Sequence, residues 1–133
     1  MNRENALTQE NALTGDNAPA GNNVLTIENL QSYFFTARGT VPAVDDVTIE
    51  VPAGKIIGLV GESGCGKSMT AMSVMGLLRH PGKVVGGRIT LDGRDITCLN
   101  PKERARVRGN EISMIFQEPM TSLNPVYPVG RQV

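Results

Sequence analysis

Gly61-Glu62-Ser63-Gly64-Cys65-Gly66-Lys67-Ser68 carries its glycines, lysine and hydroxyl at the spacing G-x-x-x-x-G-K-S. Its flanks agree with that spacing. Lys55-Ile56-Ile57-Gly58-Leu59-Val60 predicts a buried strand, and residues 68–78 predict a helix. Strand, glycine-rich loop and helix in that order make a cradle for phosphates. A polyphosphate is multiply anionic and needs many donors at short range. Gly61, Gly64 and Gly66 let the backbone curl so that successive N–H groups, including those of Glu62, Ser63 and Cys65, turn inward. The start of the following helix adds its partial positive charge beneath the phosphates. Lys67 is expected to reach the outer phosphates as a mobile point charge, and the Ser68 hydroxyl to hold Mg²⁺. The competing account is a chance glycine-rich turn. The full set of spaced positions, in the correct strand–loop–helix context, speaks against it.

The chain has 133 residues, enough for one modest domain with a core. Its 13 basic and 13 acidic residues balance, which gives no electrostatic argument for nucleic acid or an anionic membrane surface. Apolar residues make up 40%, an ordinary globular share. Tryptophan is absent and aromatics are 4%, so no base-stacking platform is evident and no nucleic acid partner is expected. Cys65 and Cys98 are read as reduced thiols, because a disulfide at Cys65 would obstruct a ligand in the loop. Cys65 could act as a nucleophile at a helix N-terminus, but a small residue tolerated at a variable position is the simpler account. Apolar runs are short and broken by Gly, Arg or Lys, and the N-terminus has no charged-then-apolar leader. A cytoplasmic protein is expected.

Residues 1–23 differ from the rest. Glu4-Asn5-Ala6-Leu7-Thr8 recurs as Glu10-Asn11-Ala12-Leu13-Thr14, with a degraded copy at Asp16-Asn17-Ala18. So few apolar residues cannot offset ordering entropy, and a disordered tail is expected, with a short partner-binding helix as the alternative. Folded structure is predicted from Val24. Leu25 and Ile27, then Val47, Ile49 and Val51, alternate with polar residues as on half-buried strands. An antiparallel hairpin therefore leads through Pro52-Ala53-Gly54 into the buried strand before the loop. The helix after the loop is apolar around most of its circumference and is read as sandwiched, ending at His80-Pro81-Gly82. His80 is read as a surface residue at that helix end. Ile89 and Leu91 alternate with Thr90, and Asp92-Gly93 signals a tight turn. Asn100-Pro101-Lys102-Glu103 has the N-cap, proline and glutamate of a helix start. Arg104, Arg106 and Arg108 are read as its solvated face. Residues 112–116 predict another buried strand, delivering Gln117 into a proline-rich loop.

A strand ending in Gln and followed by Glu-Pro, some fifty residues after a phosphate loop, is not general to P-loop proteins. It resembles the Q-loop of ATP-binding cassette (ABC) transporter ATPases. Met114-Ile115-Phe116-Gln117-Glu118-Pro119-Met120-Thr121-Ser122-Leu123-Asn124-Pro125 is similar to the oligopeptide, dipeptide and nickel importer subfamily. Gly58-Leu59-Val60-Gly61-Glu62-Ser63-Gly64-Cys65-Gly66-Lys67-Ser68 agrees with it. The resemblance implies ATP and Mg²⁺ as cofactors, the phosphates lying on residues 61–68. It implies that Gln117 approaches Mg²⁺ and the attacking water, since an amide can accept from water and donate to phosphate oxygen. It also implies an aromatic residue that stacks on adenine. Phe34 is the best match by position, with Tyr33 and Phe35 as neighbours that a register error would promote, and a core role as the alternative for each.

The expected fold is α/β: a P-loop NTPase (ABC ATPase) core with an N-terminal antiparallel β subdomain, truncated before the helical subdomain. Residues 24–133 would form the N-terminal portion of the ATP-binding domain. The family's Leu-Ser-Gly-Gly-Gln signature, its strand ending in Asp-Glu and its later switch histidine have no match here. Phosphoryl transfer to water needs a positioned water and stabilisation of developing charge. Weak Mg-ATP binding without appreciable turnover is therefore expected. Loss of later sheet strands would also expose a buried edge and an apolar helix face. The resemblance implies ABC permease subunits in the membrane, a second ATPase domain and, indirectly, a solute-binding protein as partners. It places the chain on the inner face of the cell membrane. A non-catalytic remnant that binds only nucleotide or permease is the alternative. A GTPase is disfavoured by the lack of Asn-Lys-x-Asp, and a kinase by the thin basic segment around Arg104.

Overall fold

The computed structural model describes residues 22–117 and 123–132. The repeat-bearing residues 1–21, residues 118–122 of the Gln117 string, and Val133 lie outside them. The described chain contains strands β1 (Asn23–Thr36), β2 (Gly39–Pro52), β3 (Gly82–Leu91) and β4 (Arg94–Asp95). Helix α1 spans Lys67–Met75, α2 spans Pro101–Val107, and a 3-10 turn covers Val129–Arg131. The strands form one antiparallel sheet in the order β2-β1-β3-β4.

The predicted alternation becomes register. Leu25 stands opposite Val51 and Leu91, and Ile27 opposite Ile49 and Ile89. These rows, with Leu30, Val44, Val47 and Ile96, make the sheet side of the core. Val74 of α1 and Val107 of α2 complete it. Full burial of a side chain such as Leu30 or Ile89 stabilises by about 1.5–3 kcal/mol. A bulge at the middle of β1 shifts its register against both neighbours. Gly87 faces that bulge at φ +86°, where a Cβ would lie 2.5 Å from the Asn29 carbonyl oxygen. Asp92 and Gly93 both take positive φ, as the Asp-Gly turn requires.

Helix α2 begins as its sequence predicts. Asn100 Oδ1 accepts the N–H groups of Lys102 and Glu103, while the Glu103 carboxylate accepts the Asn100 N–H. Helix α1 ends earlier than its apolar run suggests. Gly76 takes φ 62°, and the amides of Gly76 and Leu77 bond the Ser73 and Met72 carbonyls. That is a Schellman stop, which glycine allows without Cβ strain. His80 therefore stands beyond the helix, exposed.

The arginines of α2 correct a second expectation. Arg104 is 9% exposed and not solvated. Its guanidinium donates to the Val74 carbonyl at 3.0 Å and to the Thr97 carbonyl at 2.9 Å. Arg108 donates weakly to the Met75 and Gly76 carbonyls. The last carbonyls of a helix lack intrahelical partners and carry partial negative charge. Two cations from α2 meet both needs at the end of α1. Burial, with the Arg108 charge beside it, moves the Arg104 pKa down.

Two predicted buried strands are not strands. Residues 55–60 run extended, with Ile56 98% exposed and Leu59 making only an isolated bridge. Residues 112–116 behave alike, Ile115 being 91% exposed. The apolar pattern requires cover on both faces and ladder partners on both sides. Among the described residues each stretch is covered on one side only. Ile57 and Leu59, with Ile112 and Met114, turn inward to line a cavity of about 450 Å³ against the sheet and α1.

Arg104→Ala is expected to lower stability by about 2–4 kcal/mol, because it leaves buried carbonyls without a donor. Urea unfolding of the two proteins measures it, and a change under about 0.5 kcal/mol would remove the clamp's structural role.

Candidate functional site

Residues 61–68 connect the extended stretch to α1. Gly64 has φ 83° and Gly66 φ 101°, conformations that side chains avoid and that let the loop curl. The Gly66 carbonyl accepts from both the amide and the hydroxyl of Thr70, which anchors the first turn of α1. Among the described residues, the amides of Gly64, Gly66, Lys67 and Ser68 donate to no backbone carbonyl. These are the donors that every helix start leaves open. Here a tight loop gathers them at one end of α1.

Lys67 lies across this loop. Its ammonium donates to the Gly61 and Glu62 carbonyls, both at 2.7 Å, and contacts Cys65 Sγ at 3.4 Å. Three N–H groups serve an ammonium, so the two carbonyls and the weaker Cys65 contact take up all three and hold it within the loop. Gly61 needs its missing side chain, since a Cβ would fall 2.6 Å from Cys65 Sγ. Ser68 is exposed on the first turn, with its side chain available to a cation. The donor set fits a polyphosphate: clustered amides, one tethered cation and a hydroxyl. It would also suit Mg²⁺, which accepts a single protein hydroxyl and completes its shell with phosphate and water. The cavity under residues 57–59 adjoins the loop, with Lys67 and Thr70 in its lining. Its walls are largely apolar and suit side chains rather than phosphate.

The structure brings Lys67 together with Gly61, Glu62 and Cys65, and leaves Gln117 and Phe34 apart from that set. Gln117 is exposed at the end of the first described segment and has no hydrogen bond to the loop among the described residues. Earlier in the same stretch, Ile112 and Met114 line the same cavity as Lys67 and Thr70. Phe34 lies on the central strand β1 between Val41 and Gly82. Gly82 makes room for its ring, since a Cβ there would be 2.8 Å from a ring carbon. The three aromatic neighbours separate by environment. The Tyr33 hydroxyl donates to Asp45 at 2.7 Å. Phe35 is 47% exposed near the hairpin end. Phe34 alone is half-buried without a polar commitment.

Sequence reasoning missed Arg104 and the buried Ser32–Ser73 pair, whose hydroxyls are 2.8 Å apart. A polar residue inside an apolar stripe was the available signal for Ser73. Nothing local marks Arg104, whose Val74 partner lies 30 residues back and whose Thr97 partner lies 7 back, before the helix begins.

A nucleotide-type phosphate loop beside an antiparallel sheet defines the class: a P-loop protein with an attached β subdomain. The sequence places it more closely, for the ABC transporter family matches residues 44–132, and the chain belongs to that family. Its domain is the ABC ATPase domain, whose family activity is ATP hydrolysis. The chain is 48% identical over 111 residues to the oligopeptide transport ATP-binding protein AppD of Bacillus subtilis, covering 83% of this chain and 34% of the relative. It is 47% identical to the oligopeptide transport ATP-binding protein OppD of Escherichia coli, with 83% and 32% covered. It is 41% identical to the dipeptide transport ATP-binding protein DppD of the same organism, with 83% and 34% covered. The chain thus spans about a third of the length of the curated relatives it matches. No helix among the described residues is long and apolar enough to cross a membrane.

The Asp45 bond holds the Tyr33 proton, and the Tyr33 pKa is raised above its ordinary value of 10.0. Stabilisation from this bond is complete below the unfolded value and fades as pH climbs through the raised one. Asp45→Asn is expected to bring the Tyr33 transition down in an ultraviolet absorbance titration. An unchanged transition would detach the phenol from Asp45.

Proposed function

We propose that this chain is the N-terminal portion of the ATP-binding subunit of an ABC importer, coupling ATP binding and hydrolysis to uptake of peptides or a related small solute. The observation that carries the reading is the Lys67 ammonium tethered within a loop whose amides at the start of α1 have no carbonyl partners. The relatives supply the direction, because they are oligopeptide and dipeptide transport ATP-binding proteins. Residues 22–133 are read as part of the ATP-binding domain, since Asn23 already pairs with Pro52 and the Asn22 carbonyl accepts from the Ala53 amide, and residues 1–21 as a tail outside it.

In this reading the amides of residues 61–68 and the Lys67 ammonium hold the phosphates, and Phe34 stacks on adenine. Fixed amides and an oriented cation favour the charge that develops during phosphoryl transfer, since they need no reorganisation. Ser68 and Gln117 would hold Mg²⁺, which draws negative charge from the phosphate oxygens. The Gln117 amide would also orient the attacking water. Lys67 and Gln117 are thus the catalytic residues that this chain itself supplies. Permease subunits in the membrane, a second ATPase domain and, through the permease, a solute-binding protein are the proposed partners. That partnership puts the chain in the cytoplasm, peripheral to the inner face of the membrane.

A second reading has its own observation. Ile56 and Ile115 lie in the two stretches that the pattern marks for burial, yet both are almost fully exposed. With no carboxylate base on an adjoining strand among the described residues, the chain by itself would bind nucleotide or permease without turnover. Both readings share the phosphate loop and part at hydrolysis by the assembled subunit, which the first reading assigns to the whole ATP-binding domain and not to this portion alone.

Titration of the 133-residue chain with fluorescent ATP and magnesium is expected to saturate, and Lys67→Ala to weaken binding at least about tenfold. Phosphate release is expected to stay at the blank. Release that depends on Lys67 would discard the second reading, and no saturable binding by a folded chain would discard both.

A further inference from the structure

Two serines occupy the interface between sheet and helix, which is otherwise apolar. Ser32 of β1 and Ser73 of α1 are both fully buried, with oxygens 2.8 Å apart. Ser73 also donates to the Met69 carbonyl at 2.7 Å. A hydroxyl carries one proton, so Ser73 accepts from Ser32. The relay Ser32 to Ser73 to Met69 therefore has a defined direction. The surrounding contact is made by residues such as Leu30, Val44 and Val74. Apolar contact resists separation, but it is non-directional and tolerates sliding. A hydrogen bond imposes distance and angle.

We infer that Ser32 and Ser73 are positioning residues that set the spacing between the base end and the phosphate end of the nucleotide site. The inference rests on the proposal that the loop binds Mg-ATP with Phe34 beneath adenine. Ser32 precedes Phe34 by two residues, roughly 7 Å along a strand. Ser73 follows Lys67 by six residues, roughly 9 Å along a helix. The bond joins these two short segments at their far ends, with a register shift of β1 between Ser32 and Tyr33 inside the aromatic one. The aromatic arm has little freedom to adjust, because the Phe34 ring is set against Gly82 of β3. A slip of α1 along the sheet would therefore change the separation of ring and ammonium, while leaving the loop itself intact.

The test compares two ligands on the full chain. Affinities for Mg-ATP and for inorganic triphosphate are measured by calorimetry for wild type, Ser32→Ala and Val44→Ala. Ser32→Ala removes the donor, while Ser73 keeps its bond to Met69. Val44→Ala loosens the same core directly beside the pair, since Val44 stands opposite Ser32, but leaves both hydroxyls in place. The expected result is an Mg-ATP affinity about three- to tenfold lower in Ser32→Ala, with triphosphate affinity unchanged. Val44→Ala is expected to melt earlier but keep the wild-type ratio of the two affinities. Equal losses for both ligands in Ser32→Ala, or the same ratio change in Val44→Ala, would overturn the inference and leave a purely structural hydroxyl pair. If wild type binds triphosphate but gains nothing from the adenosine, the adenine contact fails and the inference goes with it. Failure of wild type to bind either ligand would instead overturn the nucleotide-binding proposal.

Discussion

Helix α1 has its carbonyl end closed by protein and its amide end left open. Every helix carries unpaired groups and opposite partial charges at its two ends. At the far end, Gly76 folds the chain back so that two amides return to the helix, and Arg104 and Arg108 bring positive charge to its last carbonyls. At the near end, the loop curls through Gly64 and Gly66 and leaves its amides without carbonyl partners. The helix is thus fixed where it needs no ligand and unsatisfied where an anion would sit. The positions of Lys67 and Ser68, and the helical arm of the hydroxyl pair, all follow from that asymmetry.

The sheet supplies the frame against which this helix is held. Strand β1 is paired on both sides, so its residues have fixed neighbours along its whole length. Two kinds of force then seat α1. Apolar burial around Val74, Leu30 and Ile89 provides the larger stabilisation. Directional bonds provide the register: Arg104 to the Val74 carbonyl, and Ser32 to Ser73. Residues 108–117 follow α2, so the segment that ends in Gln117 leaves from an element clamped to the same helix.

Much of the site was legible in the sequence because it is local. A phosphate loop is a run of backbone conformations, and glycine spacing encodes such conformations directly. The capping box at Asn100 and the turn at Asp92-Gly93 were legible for the same reason: each closes within four residues. The end of α1 was misplaced because its apolar run continues past Gly76, and hydrophobicity masked the stronger backbone signal. Arg104 was misread because the helix face it occupies looks solvated until a second helix end is brought against it. Residues 55–60 and 112–116 were expected as paired strands. Their pattern describes the cover they require, whereas pairing depends on neighbours that pattern cannot supply.

By itself the amino-acid sequence determined the chemistry of the loop, the hairpin's alternation and the family. These depend on residue identity and on contacts within a few positions. Only the tertiary structure decided that Lys67 is tethered to Gly61 and Glu62, that the Tyr33 hydroxyl is committed to Asp45, and that Ser32 meets Ser73. Such contacts are selected by how a strand and a helix approach across a core. That approach is set jointly by burial, capping and hydrogen-bond direction, and no short stretch of chain contains all three.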